Sequence, residues 1–260
     1  DGEKVEFSQL VFATGTSSRK LSDGIYKDIN ILYLRNIFDA NQIHKKLEQS
    51  KKPLLIGGGY IGLELAASMQ EMRLSVSIIE LEDRLLKRVT SSVMSDFYKK
   101  LHEDRGVKIH CNTSIKSITQ KDKNNYEVLS NDGTTILTDL IIAGIGAIPN
   151  EDLAKEAGIK CNNGIIVDQF CRTNIPYVFA AGDCTNSFNE LLGYSLRIES
   201  VPGANAHAKV VASSIIGSDL TNRELPWFWS DQYEFKLQMA GLSSGYDDLH
   251  IQGEIEENSF

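Results

Sequence analysis

Apolar residues recur along this chain in two patterns, as short continuous runs and as helical stripes. The run Leu54–Ile56 is short and uninterrupted, as expected for a strand that is buried on both faces, and Val76–Ile79, apolar except at Ser77, predicts a second strand. Between them, apolar residues recur at spacings of three and four, which places them on one face of a helix. This stripe consists of Ile61, Leu65, Met69 and Met72. The segment therefore predicts a strand, a turn, a helix and a second strand.

The same alternation predicts further helices and strands on both sides of this unit. The helices are predicted from near Asp39 (with Phe38, Ile43 and Leu47 as an apolar stripe), around Met94, Phe97 and Leu101 with an end near Gly106, and from about Gly203 to Ile216. Strands are predicted at 11–13 (short and buried), 107–111, 115–120, 126–130, 134–138, 164–168 and 177–184. Within 139–150, a buried strand is predicted to run into a loop that contains glycine and proline. An Asn-Asp-Gly turn at 131–133 favours a hairpin. The order predicts an α/β fold with a mainly parallel sheet and an inserted antiparallel ribbon.

Composition and charge narrow the classes of partner. The 260 residues are 42% apolar and 24% charged, which is ordinary for a globular chain long enough for one large domain or two smaller ones. The formal net charge of −8 argues against a nucleic-acid surface. The longest apolar run, Leu140–Ile148, is shorter than the roughly 20 residues that cross a bilayer. We expect neither nucleic acid nor membrane as a partner.

The four cysteines show no C-x-x-C spacing, so neither a metal site nor a redox dithiol is predicted. They are Cys111, Cys161, Cys171 and Cys184. Reduced thiols in a cytoplasmic protein are the expectation. The first residues contain no basic and apolar leader, so no signal peptide is predicted.

Three glycines follow the first buried strand in the pattern G-x-G-x-x-G. Gly57 permits a tight turn, Gly59 lets the backbone approach a pyrophosphate, and Gly62 allows the helix to pack closely on the strand. The N-terminus of the helix supplies free N–H groups and partial positive charge. The motif lies between a strand and a helix, as dinucleotide binding requires. A dinucleotide site is therefore predicted at this turn.

Glu80 ends the second strand and bears on the choice of nucleotide. A carboxylate at this position accepts hydrogen bonds from the ribose hydroxyls of adenosine and repels a 2′-phosphate. A few residues later the chain carries three basic side chains that could instead bind the 2′-phosphate of NADPH, namely Arg84, Lys87 and Arg88. The sequence favours NADH over NADPH.

Several segments together resemble the FAD-dependent ferredoxin reductases, the group of the putidaredoxin and rubredoxin reductases and of the reductase components of Rieske-type dioxygenases. The segments are GGGYIGLELAA, GIGAIPN, GIIVDQFCRTNIPYVFAAGDC, ESVPGANAHAKVVA and PWFWSDQYEFKLQMAGL. The resemblance implies a Rossmann-like FAD/NAD(P)-binding pyridine nucleotide-disulphide oxidoreductase fold with the start of an α+β C-terminal domain. Such proteins carry a first glycine motif for FAD, which is not found here, so an internal fragment is expected.

The resemblance also implies domain boundaries and an activity. Residues 1–36 and 159–224 would belong to an FAD domain, 37–158 to an NAD domain and 225–260 to part of the C-terminal domain. The protein would pass a hydride from NADH to FAD and then single electrons to a ferredoxin or rubredoxin type iron–sulfur protein that serves an oxygenase. No catalytic side chain is required for this chemistry. The oligomeric state stays open.

Site residues are carried over from the resemblance position by position. For NAD, the residues around the glycine turn are Gly57, Gly59, Tyr60, Ile61, Gly62 and Glu64 (beside the nicotinamide carboxamide), together with Glu80, Gly144 and Gly146. For FAD, they are Thr14, Gly15, Arg35, Asp183 (on the ribityl chain), Val201 and Trp229, with Trp227 also near the isoalloxazine. Asp183 has an independent rationale, because a Gly-Asp after a buried strand offers an acceptor for a sugar hydroxyl. His207 lies among apolar neighbours on its predicted helix and is assigned no catalytic role.

Two other functions stay open at this point. A pyridine nucleotide-disulfide reductase would share the glycine motif but would continue into a different C-terminal sequence. A flavoprotein similar to apoptosis-inducing factor would act by NADH-controlled association and not by turnover. The chain taken alone could also serve as a dinucleotide-binding module only.

Overall fold

The fold is described by a computed structural model that covers residues 2–22, 24–26 and 29–255. These residues contain five α-helices: α1 (Ile37–Leu47), α2 (Tyr60–Glu71), α3 (Ser92–Asp104), α4 (Asp152–Glu156) and α5 (Val201–Ile215). They also contain sixteen strands: β1 (Leu10–Phe12), β2 (Thr16–Ser18), β3 (Pro53–Ile56), β4 (Ser77–Ile79), β5 (Lys108–His110), β6 (Ile115–Gln120), β7 (Tyr126–Ser130), β8 (Thr135–Thr138), β9 (Leu140–Ala143), β10 (Ala147–Pro149), β11 (Ile165–Val167), β12 (Val178–Ala180), β13 (Thr185–Asn189), β14 (Tyr194–Leu196), β15 (Trp227–Gln232) and β16 (Phe235–Ala240). Strands and helices alternate over most of the chain, which confirms the predicted α/β class.

The described residues divide into two compact units. The first contains the residues up to Ser17, 147–229 and 238–241. The second contains 18–146, 230–237 and the residues from Leu242 onward. The domain boundaries predicted from the sequence stay a prediction, and parts of them (residues 1, 23, 27, 28 and 256–260) lie outside the described ranges.

The second unit is built on a four-stranded parallel sheet in the order β5-β4-β3-β9. Strand β3 pairs with β4 on one side and with β9 on the other, in both cases in parallel. Helix α2 leads from β3 to its neighbour β4 on one side, whereas the chain later returns to the sheet as β9 on the other side of β3. The strand order therefore reverses at β3. In open α/β sheets, ligands bind at this switch point, beyond the carboxyl ends of the strands. The ribbon β6-β7-β8 is antiparallel, as predicted from the Asn-Asp-Gly turn.

Helix α2 packs on this sheet through small residues, and the stripe predicted from the sequence is wrong for two of its members. Ile61 is 49% exposed and Met72 is 43% exposed, whereas Met69 is fully buried. The buried face instead contains Gly62, Leu63, Ala66, Ala67 and Met69. Small side chains on this face let the helix backbone approach the sheet, which turns the larger Ile61 outward at the first turn.

Two further expectations are corrected by the burial of individual side chains. Helix α1 begins at Ile37, because the Asn36 side chain accepts the N–H groups of Phe38 and Asp39 in a capping box. Phe38 therefore lies in the first turn and is 74% exposed, although it was predicted in the apolar stripe. Strand β1 is less buried than predicted: it pairs only with β12 among the described strands, and Val11 is 38% exposed.

Strands β15 and β16 form an antiparallel hairpin whose two ends belong to different units. The tip, residues 230–237, is part of the unit with the four-stranded sheet. There, Tyr233, Phe235 and Leu237 pack against the hydrophobic core that also contains Leu63 and Tyr98. The tip thus completes the core of the unit that carries the glycine motif.

His207 on α5 supports the Gly182–Asp183 turn from the interior of the first unit. Its ring is 2% exposed, and its Nδ1 accepts the N–H of Gly182 at 3.2 Å. Burial lowers the pKa of His207 to about 4, since the charged ring would lose its hydration. Protonation would also direct an N–H of the ring against the Gly182 N–H. The folded chain therefore requires a neutral His207.

We expect Gly62→Ala to destabilise the fold by roughly 1–3 kcal/mol. An added Cβ would lie 2.2 Å from the carbonyl oxygen of Gly57, which is backbone and cannot move aside cheaply. Gly144→Ala is the matched control, because its Cβ would meet nothing closer than 4.0 Å. Urea unfolding of the chain and of both variants measures the difference. Equal midpoints for the two variants would contradict the packing described for Gly62.

We also expect His207 to make stability fall as the pH is lowered. Between pH 6.5, the ordinary pKa, and about pH 4, the folded value, the unfolded chain binds a proton on this histidine that the folded chain does not. The loss of folding stability therefore begins below pH 6.5 and is complete near pH 4. The loss amounts to about 3 kcal/mol at most. Denaturant unfolding at pH 7 and pH 5 should show a smaller pH effect in His207→Gln than in the parent chain. The exposed His44→Gln should retain the parent's pH effect; an unaltered effect in both variants would refute this role of His207.

Candidate functional site

The carboxyl ends of β3 and β9 are in direct backbone contact. Gly57 has a φ of +109°, and its N–H donates to the carbonyl oxygen of Ile79 at 2.8 Å. A Cβ on Gly57 would lie 2.3 Å from the carbonyl oxygen of Gly144. The Gly62 backbone approaches Gly57 from the other side, as described above. Glycine is the one residue that fits at Gly57 and Gly62, in agreement with the roles predicted for the motif.

The N-terminus of α2 is open beside these contacts. Gly59 occupies the N-cap position, and no side chain within the described part of the chain caps the helix. A Cβ on Gly59 would meet no atom within 4 Å, so there is room for a ligand. The following Ile61 is half exposed. An uncapped helix N-terminus next to open space presents N–H groups and partial positive charge to an anion.

The Glu80 carboxylate is fixed at the end of β4 by two backbone N–H groups. Its Oε2 accepts the N–H of Gly58 at 2.5 Å, and its Oε1 accepts the N–H of Glu82 at 2.8 Å. Each carboxylate oxygen can accept more than one hydrogen bond, so capacity for ligand hydroxyls is left. A Cβ on Gly58 would lie 2.5 Å from Leu85 Cδ2. Gly58 therefore contributes to the site, although sequence reasoning assigned it no role.

Arg84 is turned inward and holds the loop that follows β4. Its Nη1 donates to the carbonyl oxygens of Thr90 and Ser91 and to Ser95 Oγ, at 3.1, 3.2 and 2.5 Å. Its Nη2 donates to the carbonyl oxygen of Lys87 at 3.1 Å. The guanidinium group is thereby engaged in the loop's own structure and not directed to the space beyond Glu80.

The other two basic residues of this loop have different surroundings. Lys87 Nζ lies 3.0 Å from a carboxylate oxygen of Glu82 and 3.2 Å from one of Asp83. Arg88 extends toward the end of β9, where its Nη2 lies 3.9 Å from the position of a Cβ on Gly146. Arg19 reaches the same point, with its Nε at 4.0 Å. Arg19 was missed because only the fold brings residues so far apart in the chain to one glycine.

Glu64 lies in the second turn of α2 and is partly buried. Its Oε1 accepts the hydroxyl of Ser230 at 2.7 Å. Burial raises the pKa of Glu64, while the hydrogen bonds from the Ser230 hydroxyl and the Asp231 N–H oppose this shift. Burial also raises the pKa of Tyr60, and the charge of Glu64 contributes to that shift. All nine residues predicted for NAD lie in this one unit, around the carboxyl edge of its sheet.

In the first unit, Asn150 forms hydrogen bonds with both of the predicted residues Thr14 and Gly15. Thr14 Oγ1 donates to the carbonyl oxygen of Asn150 at 2.6 Å, and Asn150 Nδ2 donates to that of Thr14 at 2.8 Å. The Asn150 N–H donates to the carbonyl oxygen of Gly15 at 2.9 Å. Asn150 thus fixes the turn after β1. The Pro-Asn pair at the end of β10 was the signal in the sequence, but Asn150 was assigned no role.

Asp183 follows β12 at the turn held by His207. Arg197 approaches it, with Nη1 at 3.5 Å from the carbonyl oxygen of Asp183, and forms an ion pair with Glu199. The Nε of Arg197 is buried and has no hydrogen-bond partner in the described part of the chain. A buried guanidinium N–H of this kind fits an acceptor atom supplied by a ligand.

Val201 and Trp229 line one cavity of about 380 Å³ within the first unit. Val201 begins α5 and is 63% exposed, and Ser200 caps this helix by accepting the N–H of Gly203. The rings of Trp227 and Trp229 lie 5.2 Å apart between centroids. The remaining lining residues are Pro202, Asn205, Ala206, Lys209 and Glu224. Five of the six residues predicted for FAD thus lie in this unit, whereas Arg35 lies in the other, in the connection to α1.

Family models match most of the chain. Residues 1–208 match the model described as pyridine nucleotide-disulphide oxidoreductase. Residues 227–260 match the model described as reductase C-terminal. Residues 209–226 separate the two ranges, which together contain every residue that was predicted as a site residue.

Curated relatives and solved structures agree with the family models. The chain is 40% identical to putidaredoxin reductase of Pseudomonas putida over 265 residues and 35% identical to rhodocoxin reductase of Rhodococcus erythropolis over 260, with all of this chain covered in both cases. The crystal structure of the ferredoxin reductase for the CYP199A2 system of Rhodopseudomonas palustris superimposes with a TM-score of 0.93 at 34% identity and covers 98% of this chain. The covalent putidaredoxin reductase–putidaredoxin complex gives 0.88 at 38% identity, with 96% of this chain covered.

The matches extend over only part of these relatives. The chain spans 63% of the putidaredoxin reductase, 61% of the rhodocoxin reductase, and 63% and 61% of the two solved chains. The match to the first family model nevertheless covers well over half of this chain, including the glycine turn, Glu80 and Asp183. The chain therefore belongs to the pyridine nucleotide-disulphide oxidoreductase family.

Proposed function

We propose that this chain is the NADH-binding part, with a portion of the FAD-binding part, of a flavoprotein that passes electrons from NADH through FAD to a small iron–sulfur protein of the ferredoxin or rubredoxin type. That iron–sulfur protein would in turn serve an oxygenase. The observation that carries the proposal is the Glu80 carboxylate, fixed by two backbone N–H groups next to the open N-terminus of α2. It is the arrangement that a ribose and a pyrophosphate require.

The residues of the second unit fit NADH. Gly59 and the start of α2 would receive the pyrophosphate, and Arg19 and Arg88 at Gly146 would add positive charge to the same edge. The open backbone of Gly144 would let the nicotinamide lie against the end of β9. Glu64 would accept a hydrogen bond from the carboxamide. These groups bind and orient the donor, which is the main contribution of a protein to hydride transfer.

The loop after β4 supports a preference for NADH over NADPH. Arg84 is committed to the loop's own carbonyl oxygens, and Lys87 is paired with two carboxylates. The guanidinium group of Arg88 lies near Gly146. A 2′-phosphate would therefore meet the Glu80 carboxylate without an arginine to neutralise it.

The residues of the first unit fit FAD. The buried Nε of Arg197 calls for an acceptor, and the cavity beside the N-terminus of α5 has tryptophan rings on one side. Asp183 would accept a ribityl hydroxyl, and Thr14 and Gly15 would lie beside the cofactor. For Arg35, the contact with FAD stays a prediction from the resemblance. When bound, FAD would take a hydride from NADH and release the electrons singly to a one-electron acceptor. The chain's own residues would hold the rings and supply partial positive charge at the start of α5.

The electron acceptor is inferred from the C-terminal segment and from the names of the relatives. Residues 227–260 match the reductase C-terminal model, which favours a ferredoxin reductase over a disulfide reductase. The relatives include reductases of putidaredoxin, rubredoxin and ferredoxin. Trp227 and Trp229 would cover the flavin and border the surface on which the iron–sulfur protein docks.

For the location, we propose the cytoplasm, where NADH is available. All four cysteines are free thiols, as expected in a reducing compartment. Over the described ranges, no helix has both the length and the apolar character that a membrane span needs.

We expect Glu80→Ala to weaken NADH binding by about tenfold or more, because the ribose loses its acceptor and the Gly58 N–H loses its partner. The parent chain should bind NADH at least about tenfold more tightly than NADPH, and the variant should lose most of this difference. Isothermal titration calorimetry gives both dissociation constants. Glu71→Ala, at the far end of α2, is the control for the loss of one negative charge. Equal affinity of the parent chain for the two nucleotides would rule out the assigned role of Glu80.

We expect the complete protein that contains this chain to carry FAD and to reduce a ferredoxin or rubredoxin with NADH. Asp183→Asn should lower the fraction of molecules that retain FAD and slow reduction of the flavin, because an amide is a weaker acceptor than a carboxylate. Flavin absorbance and stopped-flow reduction measure the two effects. A protein that oxidises NADH only with a disulfide substrate would contradict the proposed acceptor.

A further inference from the structure

A chain of fully buried polar side chains links the hairpin tip to Glu64. Ser230, Gln232 and His102 are each 0% exposed. His102 Nε2 lies 2.9 Å from Gln232 Oε1, and Gln232 Nε2 donates to Ser230 Oγ at 3.0 Å. Ser230 Oγ in turn donates to Glu64 Oε1 at 2.7 Å. Buried polar groups of this kind are costly unless every member is satisfied, so this chain of contacts is specified by the fold.

The hydrogen bonds in this chain all point in one direction. Gln232 Oε1 is an acceptor, so His102 must carry its proton on Nε2. The other ring nitrogen, Nδ1, then accepts the hydroxyl of Tyr233 at 3.1 Å. Burial lowers the pKa of His102, in keeping with a neutral ring. Each donor therefore points toward the next residue, from Tyr233 through His102, Gln232 and Ser230 to the Glu64 carboxylate.

Glu64 relies on these donors because no cation stabilises it. Within the described ranges, no Lys, Arg or His lies within ion-pair distance of its carboxylate. The titratable neighbours that interact with it are Tyr60 and Tyr98 from the helices and Asp231 from the hairpin. The charge of Asp231 raises the pKa of Glu64, and the charge of Glu64 in turn contributes to the raised pKa values of the two tyrosines. Burial raises the pKa of Tyr98 to about 12, with further contributions from Asp231 and Glu64. The hydroxyl of Ser230 and the N–H of Asp231 are what fix the carboxylate in place.

Glu64 is also close to the nucleotide site along the helix. It lies two residues after Gly62, on the helix whose N-terminus receives the pyrophosphate in the proposed function. One oxygen is held by Ser230, which leaves the carboxylate with capacity for a further donor. A carboxylate with that capacity and without a cation suits a neutral N–H donor such as a carboxamide.

We infer that Ser230 is a positioning residue of the nucleotide site: with Gln232 and His102 behind it, its hydroxyl orients the Glu64 carboxylate toward the carboxamide of the nicotinamide ring. The inference rests on the proposed binding of NADH and deepens it. It assigns a role at the nicotinamide end to a hairpin that lies far from the glycine motif in sequence. The ADP end of the nucleotide does not depend on Ser230.

Ser230→Ala tests this inference through two ligands. The chain with this substitution should bind NAD⁺ about tenfold more weakly, because Glu64 loses its orientation, and should bind ADP-ribose, which has no nicotinamide, as the parent does. Calorimetric titration measures both constants. Ser68→Ala is the matched control: its exposed hydroxyl donates to the carbonyl oxygen of Glu64 within α2, and both affinities should stay as in the parent. In a Glu64→Ala background, Ser230→Ala should have no further effect on NAD⁺ binding.

The outcomes separate this inference from the proposed function. A parent chain that binds neither NAD⁺ nor ADP-ribose would refute the proposed function itself. An equal loss for both ligands in Ser230→Ala, or no loss for either, would refute only the positioning role. Where the variant fails to fold, nitrogen-15 spectra of the His102 ring in the parent chain test the inference instead. A proton on Nε2 supports the direction of the hydrogen bonds and with it the positioning role, whereas a proton on Nδ1 refutes both.

Discussion

The second unit depends on backbone-to-backbone contact at the ends of β3 and β9. Gly57 lies so close to Gly144 and to Gly62 that a single methyl group on Gly57 or Gly62 would overlap a carbonyl oxygen. Interiors are packed at crystal density, so such overlap cannot be absorbed without moving the sheet or the helix. This contact brings the N-terminus of α2 to the switch point of the sheet and leaves open space at Gly59. The nucleotide site is thus a consequence of how the glycines let the backbone pack.

Three polar side chains, from different segments, then stabilise the carboxyl edge of this sheet. Glu80 holds the glycine turn through Gly58, and Arg84 holds the loop after β4 through its carbonyl oxygens. Ser230 reaches Glu64 from the hairpin tip. In the first unit, His207 and Asn150 hold the turns at Gly182 and Thr14 in the same manner. Glu80 is itself proposed to bind the ribose, whereas the other side chains act indirectly, by holding backbone or a carboxylate near the proposed ligands.

Much of this could be predicted from the sequence, and the omissions have physical causes. The glycine spacing and the distance to Glu80 are local patterns, so the motif, its strands and its helix were predicted correctly. The buried face of α2 was not, because Ile61 and Met72 have the spacing of a core stripe while the close approach to the sheet selects Gly62 and Ala66. The inward turn of Arg84 depends on how its loop folds. The approach of Arg19 and Arg88 to Gly146 and the chain from His102 to Glu64 join segments that are distant in sequence. No local pattern encodes such contacts, and they needed the fold.

The most direct test of the central claim is a crystal structure of this chain with NADH. The account predicts that both hydroxyls of the adenosine ribose lie within hydrogen-bond distance of the Glu80 carboxylate and that the pyrophosphate lies at the first N–H groups of α2. The nicotinamide would lie along Gly144 with its carboxamide at Glu64. A nucleotide bound elsewhere, or bound at the glycine turn with its ribose away from Glu80, would contradict the account.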